Sequence, residues 1–342
     1  MKKILIIGAG AMGSAFSVPC LENKNDVSLI GTFLENDLIK SLKEKNNYHP
    51  ALNINLPNHL NIERHDQIGK LTQDEVDVVV AGISSVGIEW FANEISKFYK
   101  KKTSIILLTK GLAVENDHLI TLSEKLENIL KKNGHKEINI SSVKGPCLAS
   151  GLAHKMRTST VIANEHIKKA QKIQNLISTE YYKCEITDDM PGVEFSSAIK
   201  NIYSMLIGAA EGLSNPSAPI EVQKKFYLNT SASLIHRSIS EMAEFVSYYS
   251  GKVETVYGLA GLGDMYVSVA GGRNSKMGKY LGQGYLYKDA KENFMKDVTV
   301  EGAELVFEIG PKIMKNFQEK QFPLMFSIIK CICENKKLEI NW

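Results

Sequence analysis

Lys2-Lys-Ile-Leu-Ile-Ile-Gly-Ala-Gly-Ala-Met-Gly-Ser14 is the stretch whose reading decides the fold of this chain. Its Ile4-Leu-Ile-Ile7 core is a continuous apolar run of strand length, the pattern of a parallel strand buried on both faces. The run ends in Gly8-Ala9-Gly10-Ala11-Met12-Gly13. At this spacing Gly8 permits a tight turn, Gly10 lets backbone approach a pyrophosphate, and Gly13 lets the next helix pack against the strand. The first turn of that helix offers phosphates its unpaired N–H groups and the positive end of its dipole. A second apolar run follows at Asp26-Val-Ser-Leu-Ile30. The motif therefore sits in the strand–helix–strand setting of a dinucleotide site rather than in a ligand-free turn.

Outward from this unit the alternation continues. Val76-Asp-Val-Val-Val80, residues 104–108, 138–144, Thr158–Ala163 and 181–186 read as strands. Between them, 36–46, 85–98, 118–132 and 166–178 carry helical periodicity, with Ser84 or Ser85 as an N-cap of the second and 46–63 as a polar loop. This alternation predicts a Rossmann-type doubly wound sheet. Asp188-Asp-Met-Pro-Gly192 is the boundary signal. Beyond it the period is helical at 192–213, 225–250, 255–259, 275–281, 286–295 and 299–317, so the expectation is an α/β domain over 1–190 and an all-α domain over 191–342.

A chain of 342 residues has room for two cores. Lys and Arg exceed Asp and Glu by 41 − 38 = 3, and hydrophobic residues make up 44%. This ordinary balance argues against nucleic acid or a membrane surface as partner, while a local basic pocket for an anionic small molecule stays open. Cys20, Cys147, Cys184, Cys331 and Cys333 form no CxxC pair and no framework; they read as reduced thiols, with no metal site. The short run at Ile4–Ile7 leads into glycines rather than a cleavage site, and no stretch reaches membrane-span length. The expected compartment is the cytoplasm, without membrane insertion.

Three places carry charge where apolar or glycine-rich surroundings make it costly. In Val193-Glu-Phe-Ser-Ser-Ala-Ile-Lys-Asn-Ile-Tyr-Ser-Met-Leu-Ile-Gly-Ala-Ala-Glu-Gly-Leu213, apolar residues recur at helical steps around Lys200 and Asn201. A lysine withdrawn from water has its ammonium form disfavoured, which suits it to exchange a proton near neutral pH. Lys110, in Thr109-Lys110-Gly111, stands at the carboxyl end of a strand, where α/β sheets collect ligands. The glycine-dense 258–274 segment, holding Asp264, Ser268, Arg273 and Asn274, reads as a loop that binds an anion; the planar fork of Arg273 suits phosphate oxygens. At the end of the second strand, where an acidic residue would hold a ribose, stands Thr32, with Glu35 three residues on.

Gly8-x-Gly-x-x-Gly13, Thr109-Lys110-Gly, Gly145-Pro146-x-x-Ala149, Ser-Ala-Ile-Lys200-Asn201, 258–264, Gly-Gly-Arg273-Asn274 and Val-Glu301-Gly302 occur in one order over residues 1–317. Taken together they resemble the soluble NAD(P)-dependent glycerol-3-phosphate dehydrogenases, with Gly31-Thr32-Phe33 and Asn47-Tyr-His49-Pro50 most like archaeal members. The resemblance implies that Lys200 exchanges the proton at the substrate C2 oxygen, with Asp264 holding its ammonium and Lys110 lending a second cation. It implies substrate contacts from Lys110, Asn201, Ser268, Arg273 and Asn274. Cofactor contacts are implied at Gly8, Gly10, Ala11, Met12, Gly13, Thr32, Lys110, Ala149, Arg273 and Glu301. It also implies a homodimer acting on a phosphorylated small molecule with NADP or NAD and no metal. Thr32 puts no repelling carboxylate at the 2′ position, which tilts the cofactor expectation toward NADP, with Glu35 counting the other way.

One departure is Gly151, where the family usually has a glutamate two residues after Ala149; it bears on local packing and on the substrate. The competing readings are a dehydrogenase of the same fold acting on another phosphorylated ketose or polyol, and a nucleotide-sensing module without turnover. Intact Lys110, Lys200 and Asp264 speak against the second.

Overall fold

The computed structural model describes residues 1–214 and 220–341, with 220–226 by their backbone only. These residues divide into two compact units, Met1–Lys110 with Leu122–Met190, and Gly111–Thr121 with the chain from Pro191 onward. The segment 111–121, read from sequence as part of the first domain, thus groups with the helical unit.

In the first unit, eight strands form one sheet in the spatial order Tyr182–Thr187, Thr158–Ala163, Ile140–Lys144, Ser104–Leu107, Val78–Ala81, Lys3–Ile7, Asp26–Ile30, Asn61–Glu63. All neighbours run parallel except Ile140–Lys144 against Thr158–Ala163. Residues Ile4 to Ile7 are fully buried, as their unbroken apolar run requires. The chain builds outward from Lys3–Ile7 in one direction, then returns to its other side at Val78–Ala81, so the strand order reverses between these two strands. Ligands of open α/β sheets bind beyond the carboxyl ends at such a reversal. Gly8 and Gly82 follow those ends: Gly8 has φ +109°, and a Cβ on it would lie 2.4 Å from the Gly82 carbonyl oxygen.

Three local readings are corrected here. The polar 46–63 segment contains the short pair Tyr48–His49 and Ile54–Asn55 and contributes the edge strand Asn61–Glu63. Ser84 and Ser85 do not cap a helix through their side chains; a 3₁₀ turn, Ser85–Gly87, leads into Ile88–Ser96. Residues 118–132 are not one amphipathic helix. His118–Thr121 pairs with Leu112–Glu115 as a hairpin, and only Leu122–Lys132 is helical. The two hairpin turn residues, Asn116 and Asp117, have φ of 51° and 62°, the left-handed pair that matches strand twist. In the second unit this hairpin is tied to helix Glu301–Asn316, where Asp117 pairs with Lys312 at 3.0 Å and Lys315 at 2.8 Å.

That unit is organised on helix Met190–Gly212, in which every residue from 192 to 210 is buried. A helix buried on all sides needs partners all round. They include Ile220–Tyr248, Arg273–Gly282, Glu301–Asn316 and Pro323–Cys333, the last beyond the helical pattern read from sequence. Against Arg273–Gly282 the contact is backbone to backbone. A Cβ at Gly208 would lie 2.3 Å from the Ser275 oxygen, and at Gly212, 2.1 Å from that of Lys279. From the other helix, a Cβ at Gly278 would lie 1.8 Å from the Met205 oxygen, and at Gly282, 2.2 Å from that of Ala209. The Gly-x-x-x-Gly spacing on both helices lets them interlock. No helix among the described residues is long and apolar enough to cross a membrane.

Candidate active site

The glycine clasp sets Lys200 and Asn201, on one helix, near the start of the helix that begins with Arg273. The 258–274 segment is not the loop expected. It is a π-type turn, Leu259–Gly263, running into helix Asp264–Val269 and then into Arg273–Gly282. Two of its glycines serve close packing: a Cβ on Gly261 would lie 2.1 Å from the Val256 oxygen, and on Gly272, 2.3 Å from that of Ser268.

The turn delivers Asp264, only 3% exposed, to Lys200, also 3% exposed. Lys200 Nζ is 3.1 Å from Asp264 Oδ1 and 3.4 Å from the Asp264 carbonyl oxygen, and it donates to Ser268 Oγ one helical turn further on. A buried ammonium needs a counter-charge and acceptors for its three hydrogens; this arrangement supplies both. Asn201, 4% exposed, accepts at Oδ1 from Asn274 Nδ2 at 3.0 Å, and Asn274 Oδ1 accepts the Gly302 N–H at 2.9 Å. Arg273 and Glu301 lie at the half-exposed rim, paired at 2.7 Å. The structure thus brings together Lys200, Asp264 and Ser268, joins Asn201 to Asn274, and joins Arg273 to Glu301.

In the first unit, Ala11, Met12 and Gly13 open helix Ala11–Glu22, whose N-cap Gly10 has no side chain to occupy the first-turn N–H groups. The turn before it is pinned at Ala9. The Ala9 N–H donates to Glu35 Oε2 at 3.0 Å, while Ser14 Oγ at 2.9 Å and His49 Nε2 at 3.1 Å bond the Ala9 carbonyl. The same Glu35 oxygen accepts the Thr32 N–H at 2.7 Å. Glu35, weighed from sequence only as a charge near the ribose, thereby ties the end of the second strand to the glycine turn. Lys110 follows strand Ser104–Leu107, where the Thr109 hydroxyl donates to the Ile83 carbonyl at 2.8 Å. Ala149 begins the short helix Ala149–Ala153. Gly151 causes no strain there: a Cβ would make ordinary contact with Met156, 3.9 Å away. Among the described residues no group of acidic, His and Cys side chains is disposed to hold a metal.

Sequence reasoning missed His49 and Ser14 as anchors of the turn, and missed Lys144. That lysine is 2% exposed and donates to the Leu107 carbonyl at 2.9 Å, at the root of the Lys110 loop. The only signal for it was a lysine closing a strand with no other charge in it.

Models of the NAD-dependent glycerol-3-phosphate dehydrogenase N-terminus and C-terminus match residues 3–170 and 189–341. The NADP(+)-dependent glycerol-3-phosphate dehydrogenase of Archaeoglobus fulgidus is 32% identical over 98% of this chain and 96% of its own length. The chain belongs to this family. The glycerol-3-phosphate dehydrogenase [NAD(P)+] of Mesoplasma florum is 29% identical over 97% of the chain and 95% of its own. The crystal structure of glycerol-3-phosphate dehydrogenase from Coxiella burnetii shares the fold, with a TM-score of 0.81 over 98% of this chain and 96% of that one at 24% identity. A Rossmann-like unit followed by a helical one is thus the family architecture.

Proposed function

We propose that this member of the glycerol-3-phosphate dehydrogenase family interconverts dihydroxyacetone phosphate and sn-glycerol 3-phosphate, with Lys200 as the acid and base at the C2 oxygen. The observation that carries the reading is the buried Lys200–Asp264–Ser268 cluster, inside a chain that matches its relatives end to end. A nicotinamide cofactor, when bound, supplies or accepts the hydride at C2. Hydride arrival builds negative charge on the ketone oxygen. The Lys200 ammonium stabilises that charge and then transfers a proton to it, becoming a neutral amine that solvent reprotonates. Asp264 supplies the counter-charge that holds the ammonium in place. Ser268 accepts from Lys200, so its own hydroxyl hydrogen remains to be donated onward. By resemblance Lys110 is assigned as a second cation for the reaction, Asn201 and the backbone at Asn274 flank the substrate, and Arg273, steadied by Glu301, takes the phosphate through its fork.

The cofactor is NADP or NAD, and we assign the preference to NADP. Its support is Thr32 at the strand end and the Archaeoglobus relative named for NADP, while the Glu35 carboxylate is committed to two backbone N–H groups. We take the working form to be a cytoplasmic homodimer, on the strength of the resemblance. The test is a panel of ketose phosphates offered to purified protein with NADPH or NADH. Dihydroxyacetone phosphate should be the preferred substrate and NADPH should give the higher kcat/KM. A different ketose phosphate turned over faster overturns the substrate, and NADH matching NADPH overturns the cofactor preference.

A further inference from the structure

Three helices of the second unit meet at two buried amides. Asn274 is the second residue of Arg273–Gly282, Asn201 follows Lys200 on Met190–Gly212, and Gly302 lies in the first turn of Glu301–Asn316. Their backbones are close: a Cβ on Gly302 would lie 2.6 Å from the Asn201 carbonyl oxygen.

The orientation of both amides follows from hydrogen-bond chemistry. The Gly302 N–H can only donate, so the Asn274 atom facing it at 2.9 Å must be the carbonyl oxygen. The other end of that planar amide is then an NH2 group, which can only donate. The Asn201 atom facing it at 3.0 Å must therefore be an acceptor, Oδ1. Asn201 is locked with its own NH2 on the opposite side, and that NH2 makes no hydrogen bond among the described residues. Without this chain an asparagine amide turns through half a rotation at little cost and shows either edge.

We infer that Asn274 is a positioning residue that fixes Asn201 as a hydrogen-bond donor toward the substrate. The inference rests on the reading above that Asn201 flanks the substrate. With Asn201 held in this sense, the Ser268 hydroxyl and the Asn201 amide both present hydrogens, beside the positive charge of Lys200. Such an edge binds ketone and phosphate oxygens and disfavours ligands that present donors there. Turned over, Asn201 would set a lone pair against a substrate oxygen. The loss of that bond and the unpaired acceptor it leaves correspond to about 10–100-fold in kcat/KM.

The test is a double-mutant cycle on the full-length enzyme, with dihydroxyacetone phosphate and NADPH as probes and melting temperature measured alongside. Asn274→Asp keeps an acceptor for the Gly302 N–H, and so preserves the helix start, but has no NH2 for Asn201. It should cost about 10–100-fold in kcat/KM in the wild-type background and less than about 3-fold in an Asn201→Ala background, because the group it orients is gone. Equal costs in both backgrounds would show that Asn274 acts on the fold or on the substrate directly, and would overturn the inference while leaving the site reading intact. An Asn201→Ala enzyme with wild-type kcat/KM would overturn both, since Asn201 would then not flank the substrate. If Asn274→Asp does not fold, Asn274→Ser, too short to reach Asn201, should show the same dependence on background.

Discussion

Replacing Asp264 by asparagine leaves the shape of the site almost unchanged and removes the counter-charge of a lysine that is 3% exposed. At the observed Nζ–Oδ1 separation of 3.1 Å, the attraction lost is about 5 kcal/mol for an effective dielectric of about 20. That agrees with the roughly 3–5 kcal/mol by which breaking one side of a buried pair destabilises proteins. For a domain of this size such a loss lowers the melting temperature by roughly 6–20 °C. Part of it is recoverable if Lys200 sheds its proton, but a neutral amine cannot act as the acid, so the carbonyl-reduction rate should fall together with stability. The assay is thermal melting and steady-state reduction of dihydroxyacetone phosphate for Asp264→Asn and for Asp264→Asn combined with Lys200→Met. The second change removes the stranded charge, so the double variant should recover more than half of the lost melting temperature and still be inactive. An Asp264→Asn enzyme that melts within about 2 °C of wild type and keeps its kcat would refute the reasoning, because the pair would then carry neither stability nor catalysis.

Three further outcomes follow from the same coordinates. Arg273→Lys keeps the charge and loses the fork, so it should cost roughly 10–150-fold in kcat/KM on dihydroxyacetone phosphate and almost nothing on dihydroxyacetone; equal losses on both substrates would place Arg273 outside phosphate binding. Gly278→Ala puts a methyl group where only 1.8 Å separates it from the Met205 oxygen, so the helices must part; the melting curve should register a loss of about 1–3 kcal/mol or more, and an unchanged curve would contradict the clasp. Buried Glu241 accepts the N–H groups of Leu324 and Met325 and the Tyr203 hydroxyl, so Glu241→Gln should cost about 1–3 kcal/mol at neutral pH. Because burial raises the Glu241 carboxyl above its usual range, the native state holds its proton to higher pH than the unfolded state. Stability therefore declines as pH rises through that interval, and a denaturant titration of the glutamine variant should lack that decline.

Much of the first unit was legible because its signals are local. Ile4–Ile7 announces a two-sided strand, and Gly8, Gly10 and Gly13 announce the turn and helix that follow. The edge strand Asn61–Glu63 was not legible, since three residues with one buried side chain carry no period. The hairpin was hidden because His118–Thr121 runs without a break into the helix from Leu122, although Asn116-Asp117 was a usable turn signal. Glycine density between 258 and 274 suggested a loop, yet Gly261 and Gly272 are where the backbone closes on the preceding turn, and a glycine that meets Val256 or Ser268 looks the same in sequence as one that opens a loop. Lys200, with Asn201 beside it, stood out because charge in an apolar helix demands a partner, and Asp264 because it lies in a glycine-dense segment. Which partner, and the fixed sense of the Asn201 amide, depended on helices that meet only in three dimensions.

The decisive measurement is the rate of dihydroxyacetone phosphate-dependent NADPH oxidation by purified wild type and Lys200→Ala, with NADPH affinity measured separately by fluorescence. Wild type should turn over, and the variant should lose on the order of 10²–10⁴-fold in kcat while binding NADPH with nearly unchanged affinity. A variant that retains more than about a tenth of the wild-type kcat would contradict the assignment of Lys200 as the proton donor.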